Sequence, residues 1–379
     1  MKIVADENIA EIENYFAKAG ELVLMPGREI NKEVVQDADV LLVRSVTKVD
    51  KSLLHNSTCK FVGTATSGID HIDTKWLAQR NIGLGWARGC NANSVVEYIF
   101  STLASLSEHY GRDWRRFSFG IVGCGAIGNL LATKLLALQC KLKIFDPYLD
   151  IRHPLAAYFS EYADLLEQDV LTFHTPLTRE GHWPTYHMLD AKWLSKLSPK
   201  TLLINAARGA VVDNTALLAH MKIYSEQLVV LDAWEGEPKI NQDLLQRIAI
   251  STPHIAGYSN AGKLNGTKIV HEKFLQFFGL EQRNIFDNGM KENSILLKVE
   301  KYKSASSQLN QLILQAYDVI QDHIAMQAIG HAQNAPKLFD DLRKSYPVRR
   351  EFNSFEISRS GIAENVSDQL LALGFNLRD

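Results

Sequence analysis

Cysteine is scarce and scattered: Cys59, Cys90, Cys124 and Cys140 are the only four in 379 residues, and no two form a C-x-x-C pair. That spacing argues against thiolate zinc and dithiol redox motifs and points to free thiols in a reducing compartment, the cytoplasm. Proline is sparse too, 10 residues beside 23 glycines, which is not the composition of a fibrous or low-complexity chain. A surplus of either charge is also missing. Lys+Arg 41 against Asp+Glu 43 gives −2, leaving no basic excess to neutralise a phosphate backbone or an anionic membrane, so nucleic acid and membrane are disfavoured as partners. No run of about 18 apolar residues occurs, and the best candidate, 95–106, carries Glu97. The opening Met1-Lys2-Ile3-Val4-Ala5-Asp6 is a strand-like start broken by charge, unlike the apolar core of a secretory signal.

What is present is apolar material for large cores, 46% hydrophobic with 22% charged, on a length that suits two or three domains. Short apolar segments at 2–5, 21–25, 39–43 and 61–64 alternate with helical stretches, the pattern of a parallel sheet with crossover helices. An apolar helix over 93–106 leads into a second alternating series, with strands at 119–122, 142–145, 170–174, 201–205 and 228–232. The expected architecture is α/β: two doubly wound Rossmann-like domains, followed by a C-terminal α+β unit. The divisions expected are 1–93 with 257–289, then 94–256, then 290–379. Across 304–331 one long helical pattern sets Leu309, Leu312, Ile313, Tyr317, Ile320 and Ile324 on a single stripe, an apolar face that has to be buried somewhere.

Gly123-Cys124-Gly125-Ala126-Ile127-Gly128 stands between the 119–122 strand and a helical stretch. This is G-x-G-x-x-G spacing: the first glycine permits a tight turn, the second lets backbone approach a pyrophosphate, and the third lets helix pack on strand. Alone such a hexapeptide is as readily a plain glycine turn. The next strand, however, ends at Asp146, where a carboxylate can accept both hydroxyls of an adenosine ribose, so the joint pattern predicts NAD as cofactor.

Three further strand ends carry polar residues: Asn205-Ala206-Ala207-Arg208-Gly209, Asp232-Ala233-Trp234-Glu235-Gly236-Glu237-Pro238 and Thr252-Pro253-His254-Ile255-Ala256-Gly257. Ligands of open α/β sheets bind beyond such ends. A guanidinium there can hold a carboxylate, an imidazole can take a hydroxyl proton as hydride leaves, and a glutamate beside it can stabilise the protonated ring. Taken singly, Arg208 could be a surface arginine, Glu237 a turn acid and His254 a partly buried histidine.

Taken together, the glycine fingerprint, N-A-A-R-G, D-x-W-E-G-E-P and T-P-H-I-A-G resemble the D-isomer-specific 2-hydroxyacid dehydrogenases over about residues 40–260. The resemblance implies a catalytic trio of Arg208, Glu237 and His254, with His254 the acid/base. It implies a cofactor lining of Gly123, Gly125, Ala126, Ile127, Gly128, Asp146, Thr175, Ala206, Ala207, Arg208, Asp232 and Gly257. Many members carry Cys where this chain has Ala207, one small residue for another. The N-terminal motifs around Val43-Arg44-Ser45 and Thr64-Ala65-Thr66-Ser67-Gly68, with the C-terminal extension, narrow the resemblance to a branch acting on a small phosphorylated 2-hydroxy acid. There Ser45, Thr66 and Tyr258 would touch substrate and Arg44 its phosphate. The branch also implies a homodimer built by 290–379, in which Arg349 or Arg350 could reach the partner's substrate. His182 and His187 flank a Trp-Pro loop with no acidic or thiol partner at ligand spacing, so no metal is expected. Rival readings are a sister dehydrogenase, such as one for 3-phosphoglycerate, and a non-enzymatic NAD-sensing corepressor.

Overall fold

The computed structural model describes residues 1–281, 294–300, 304–330 and 332–379. Its strands form where the sequence offers short, almost uninterrupted aliphatic runs, as strands buried on both faces of a parallel sheet require. The chain divides into two compact units, Met1–Asn91 with the chain from Ser259, and Ala92–Tyr258 with the C-terminal part.

In the first unit β1 (Lys2–Asp6), β2 (Glu21–Met25), β3 (Val40–Val43), β4 (Phe61–Thr64) and β5 (Gly83–Trp86) pair in parallel in the order β2-β1-β3-β4-β5. The sequence did not announce β5, whose Gly-Leu-Gly-Trp has no β-branched residue. Its glycines are dictated by packing, since a Cβ at Gly83 or Gly85 would run into the ring of Phe277 or Phe61. Phe277 belongs to the Asn260–Phe278 helix, capped by the Ser259 hydroxyl and ended by left-handed Gly279, which covers this sheet.

The second unit holds β6 (Ser118–Val122), β7 (Lys141–Phe145), β8 (Val170–Phe173), β9 (Leu202–Asn205), β10 (Val229–Leu231) and β11 (Ile250–Ser251), parallel in the order β11-β10-β9-β8-β6-β7. Sequence order reverses at β6, so the crevice beyond its carboxyl end is the expected ligand position. The buried helix α1 (Ala92–Tyr110) and helix α2 (Ala126–Ala137) pack together in this unit.

The C-terminal part is α+β. Strands β12 (Ile295–Leu297), β13 (Phe355–Ser358) and β14 (Asn376–Arg378) form a parallel sheet, accompanied by α3 (Ala305–Ala316), α4 (Val319–Gln327), α5 (Ala335–Lys344) and α6 (Glu364–Leu373). The boundary expected at 289–290 lies outside the described residues. The single helix expected over 304–331 is in fact two, and its last position, His331, also lies outside them. The break falls at Tyr317, extended at φ −152°, where the Asp318 carboxylate caps the next helix at the Ile320 amide and the Tyr317 hydroxyl donates to Asp322 at 2.7 Å. Leu309, Leu312 and Ile313 are buried in one core with Tyr98, Phe100 and Leu103 of α1, whereas Ile324 is 57% exposed. The stripe thus spends its apolar face on its own chain.

A polar seam joins α1 to this C-terminal part. Asn93 Nδ2 donates to both Glu97 and Glu351 at 2.8 Å, and the Phe352 amide donates to Glu97 at 2.8 Å. Burial and the neighbouring Glu351 charge push the Glu97 carboxyl up to about 8, although the Phe352 amide, Arg349 and Lys134 pull the other way. Arg349 is 6% exposed, and its guanidinium donates to the carbonyls of Ser94 at 2.8 Å, Ala256 at 2.6 Å and Ile255 at 3.4 Å, over the Tyr317 ring. It is therefore internal to its own chain, and the expectation that it reaches a partner's substrate fails. The four cysteines are buried free thiols, pushed by burial up to about 11 for Cys59, Cys90 and Cys124 and about 12 for Cys140.

Candidate active site

The turn after β6 has the geometry its glycines predict. Gly123 sits at φ +90°, a conformation few side chains tolerate, and a Cβ at Gly128 would strike the Gly123 carbonyl. A Cβ at Gly125 would meet nothing within 4 Å, so the backbone there is open to close approach at the start of α2, flanked by Ala126 and Ile127. Asp146, directly after β7, accepts from the Cys124 amide at 2.8 Å and the Tyr148 amide at 3.1 Å, which fixes the carboxylate beside the glycine turn. Thr175, after β8, keeps a buried hydroxyl oxygen with no protein partner among the described residues. Together these features fit the pyrophosphate and adenosine ribose of a dinucleotide.

The three polar segments singled out in the sequence lie beyond β9, β10 and β11. Ala206 and Ala207 are buried, and Arg208 is half-buried with Nη1 donating to the Ala207 carbonyl at 2.8 Å. His254 and Glu237 are in direct contact, Nδ1 to Oε1 at 2.5 Å, and the second Glu237 oxygen accepts from the Trp234 amide at 3.1 Å. Burial pushes the Glu237 carboxyl up, but the His254 charge and hydrogen bond, with Arg343 and the Trp234 amide, outweigh it and hold the group below its ordinary range. With Nδ1 committed to Glu237, Nε2 is the nitrogen that faces away from it.

His254 itself takes φ +57°, a left-handed backbone that a non-glycine residue adopts only when its surroundings insist. The surroundings do insist. Asp232, almost wholly buried, accepts from the Thr252 hydroxyl at 2.7 Å, the Ile255 amide at 2.7 Å and the Ala256 amide at 3.0 Å. Trp234 Nε1 donates to the Thr252 carbonyl at 2.9 Å, and Tyr98 of α1 meets the Thr252 hydroxyl at 2.9 Å. Both Asp232 oxygens are thus engaged with the loop that presents His254. Gly257 and Tyr258 follow on that loop, half-buried, and the Tyr258 hydroxyl accepts from Arg343 at 3.0 Å.

In the first unit, Arg44 and Ser45 follow β3 and Thr66 follows β4, so these residues too stand beyond strand carboxyl ends. Arg44 is paired with fully buried Asp6 at 3.0 Å, which fixes its guanidinium, and Ser45 is exposed. Thr66 donates to the Gly68 carbonyl at 2.9 Å and meets Thr64, whose hydroxyl also meets His71 at 3.1 Å.

The sequence reading missed two features. His187 does have acidic partners: Nε2 lies 2.7 Å from Glu235 and Nδ1 3.5 Å from Asp213, although 48 and 26 positions separate them in the chain. The donor atoms of the three lie within 4.8 Å of one another. With a carboxylate oxygen beside each ring nitrogen, the histidine ties three loops together. Arg343 is the second, set on an amphipathic helix with no motif around it.

The NAD binding domain of the D-isomer specific 2-hydroxyacid dehydrogenases matches residues 96–256, and a domain of unknown function matches 295–374. Solved structures agree on the fold: a 3-phosphoglycerate dehydrogenase of Entamoeba histolytica with bound NAD+ (TM-score 0.64, 25% identity, 74% of this chain and 95% of that one) and a D-lactate dehydrogenase of Aquifex aeolicus (TM-score 0.61, 22% identity, 73% and 94%). Fold and site together define an NAD-dependent oxidoreductase of the D-2-hydroxyacid dehydrogenase class. Relatives named erythronate-4-phosphate dehydrogenase match end to end: 42% identity in Marinobacter nauticus (100% of each chain), 41% in Cellvibrio japonicus (99% of each) and 42% in Escherichia coli (99% of this chain, 98% of that one). The chain belongs to the erythronate-4-phosphate dehydrogenase family.

Proposed function

We propose that this chain oxidises 4-phospho-D-erythronate to 2-oxo-3-hydroxy-4-phosphobutanoate with NAD, a step toward pyridoxal 5′-phosphate. The observation that carries the reading is the His254–Glu237 contact at 2.5 Å, on a chain matched end to end by relatives of that name. Nicotinamide, when bound, accepts the hydride from C2. His254 Nε2 takes the hydroxyl proton, and Glu237, kept ionised, stabilises the imidazolium that results. Arg208 holds the substrate carboxylate and polarises the forming carbonyl, a task suited to a guanidinium that keeps its charge. Ser45, Thr66 and Tyr258 touch substrate, and Arg44, steadied by Asp6, meets its phosphate. The remaining cofactor contacts are those of the glycine turn, Asp146, Thr175, 206–208, Asp232 and Gly257.

The domain scheme we adopt is a substrate domain of 1–93 with 257–289, an NAD domain of 94–256 and an assembly domain of 290–379. The enzyme works as a cytoplasmic homodimer. Four free buried thiols suit a reducing compartment, and β12 lies at a sheet edge with Ile295 41% and Leu296 48% exposed, an apolar edge that a second copy could cover. None of the helices among the described residues is long and apolar enough to cross a membrane. The deciding experiment is a panel of 2-hydroxy acids with and without a phosphate, followed by NADH absorbance. Turnover of 4-phosphoerythronate well above 3-phosphoglycerate, glycerate and lactate is expected; a preference for any of those would move the chain to a sister activity, and no turnover at all would favour an NAD sensor.

A further inference from the structure

The C-terminal part touches the loop that carries His254 at two points. Arg349 donates to the carbonyls of Ile255 and Ala256, the same two residues whose amides are held by Asp232. Two positions past Ala256, Tyr258 accepts from Nη2 of Arg343, on α5, at 3.0 Å, with the guanidinium carbon 5.7 Å from the phenol ring centroid. Tyr346 packs edge-on against the same ring, centroids 5.9 Å apart. Arg343 also lends its charge to Glu237. Its Nε is buried and has no protein partner among the described residues. Nothing in the NAD-binding match, 96–256, supplies this arginine, which lies in the 295–374 match of unknown function.

We propose that Arg343 is a positioning and specificity-determining residue of the catalytic site: it fixes the Tyr258 hydroxyl and so sets the pose of the 2-hydroxy acid over His254, which makes the C-terminal part a component of its own chain's active site. The proposal rests on the reading above that Tyr258 touches substrate. A guanidinium donating to a phenol oxygen also polarises its O–H as a donor toward an anionic oxygen, so the link favours a charged substrate.

The test is a kinetic double-mutant cycle on the full-length enzyme with Arg343→Gln, Tyr258→Phe and both together, plus Arg343→Lys. Arg343→Gln should lower kcat/KM for the 2-hydroxy acid about 10- to 100-fold, the loss falling mainly on KM, with NAD affinity within about twofold of the wild type. In the Tyr258→Phe background the same change should cost no more than about threefold, because the link is already gone, and Arg343→Lys should recover part of the loss. Additive losses in the double variant, or an Arg343→Gln enzyme within about twofold of wild-type kcat/KM, would overturn the proposal. Should Arg343→Gln fail to fold, Arg343→Met, which also removes the donor, carries the cycle by the same criterion. The assay uses whichever acid the wild type oxidises, so a wrong substrate assignment shows in the wild-type panel, whereas a wrong role for Arg343 shows only in the variants.

Discussion

Glu97 gives a sharp prediction, because it is a carboxyl buried at the seam between α1 and the C-terminal part. Replace it with glutamine, which mimics the protonated group and keeps an oxygen to accept from Asn93 and the Phe352 amide. In the unfolded chain the glutamate titrates near 4.5, while in the folded one burial and Glu351 push it up to about 8. The native state therefore holds the proton more tightly. The stability this contributes is complete below pH 4.5, drains away as pH rises, and is fully lost above about 8. An interval of about 3.5 units at about 1.36 kcal/mol each sets a ceiling near 5 kcal/mol; local relaxation and water entry around the ionised carboxyl lower it, so about half that is expected. The measurement is the denaturant or thermal midpoint of wild type and Glu97→Gln at a series of pH values from 5 to 9. The variant should gain on the wild type steadily across that range, by about 2–3 kcal/mol in all. A difference that stays flat with pH, or shrinks as pH rises, would show that Glu97 is ionised in the native protein and refute the reasoning.

Other variants test the site. Asp146 should make the enzyme prefer NAD over NADP by at least about 30-fold in kcat/KM, because its carboxylate would face a 2′-phosphate across a few ångströms; Asp146→Ser should erode that preference, and equal use of both cofactors by the wild type would remove Asp146 from the ribose site. His254→Ala should cost about 10²- to 10⁴-fold in kcat while NAD affinity measured by fluorescence titration stays put, and a variant retaining more than about a tenth of the activity would mean that another group is the base. Arg349→Ala should destabilise the fold by about 3 kcal/mol in denaturant, since three buried carbonyls lose a charged donor; a raised KM with unchanged stability would instead restore Arg349 as a substrate contact.

The site was legible in the sequence wherever its chemistry is written on one strand end. The glycine turn, Asp146, Arg208, Glu237 and His254 each follow a short buried strand, so strand periodicity plus residue type locates them before any coordinates. What was not legible depends on partners far apart in the chain. His187 meets Asp213 and Glu235 only because the loops after β8, β9 and β10 converge. The Leu309 stripe runs on into Ile320 and Ile324 by pattern, but Asp318 starts a new helix, and a helical period cannot reveal that a capping aspartate will win over continuation. Gly83 and Gly85 hid β5 for a comparable reason: in that strand the side chains that fill the space come from elsewhere, Phe61 and Phe277.

The same distinction explains how a C-terminal part without catalytic motifs can matter to catalysis. The His254 loop takes a backbone conformation that costs on the order of 1–3 kcal/mol for a residue with a side chain, so something has to hold it. From one side the Asp232 carboxylate takes the amides of Ile255 and Ala256; from the other, the Arg349 guanidinium takes their carbonyls. Two buried side chains thus hold the amides and the carbonyls of the same two residues, across three successive peptide units, and the loop between them has little freedom to relax. Asp232 comes from the strand next door and could be read from its motif. Arg349 arrives from nearly a hundred residues away, and because it contacts only backbone atoms of the loop, no pattern of side chains around His254 betrays it.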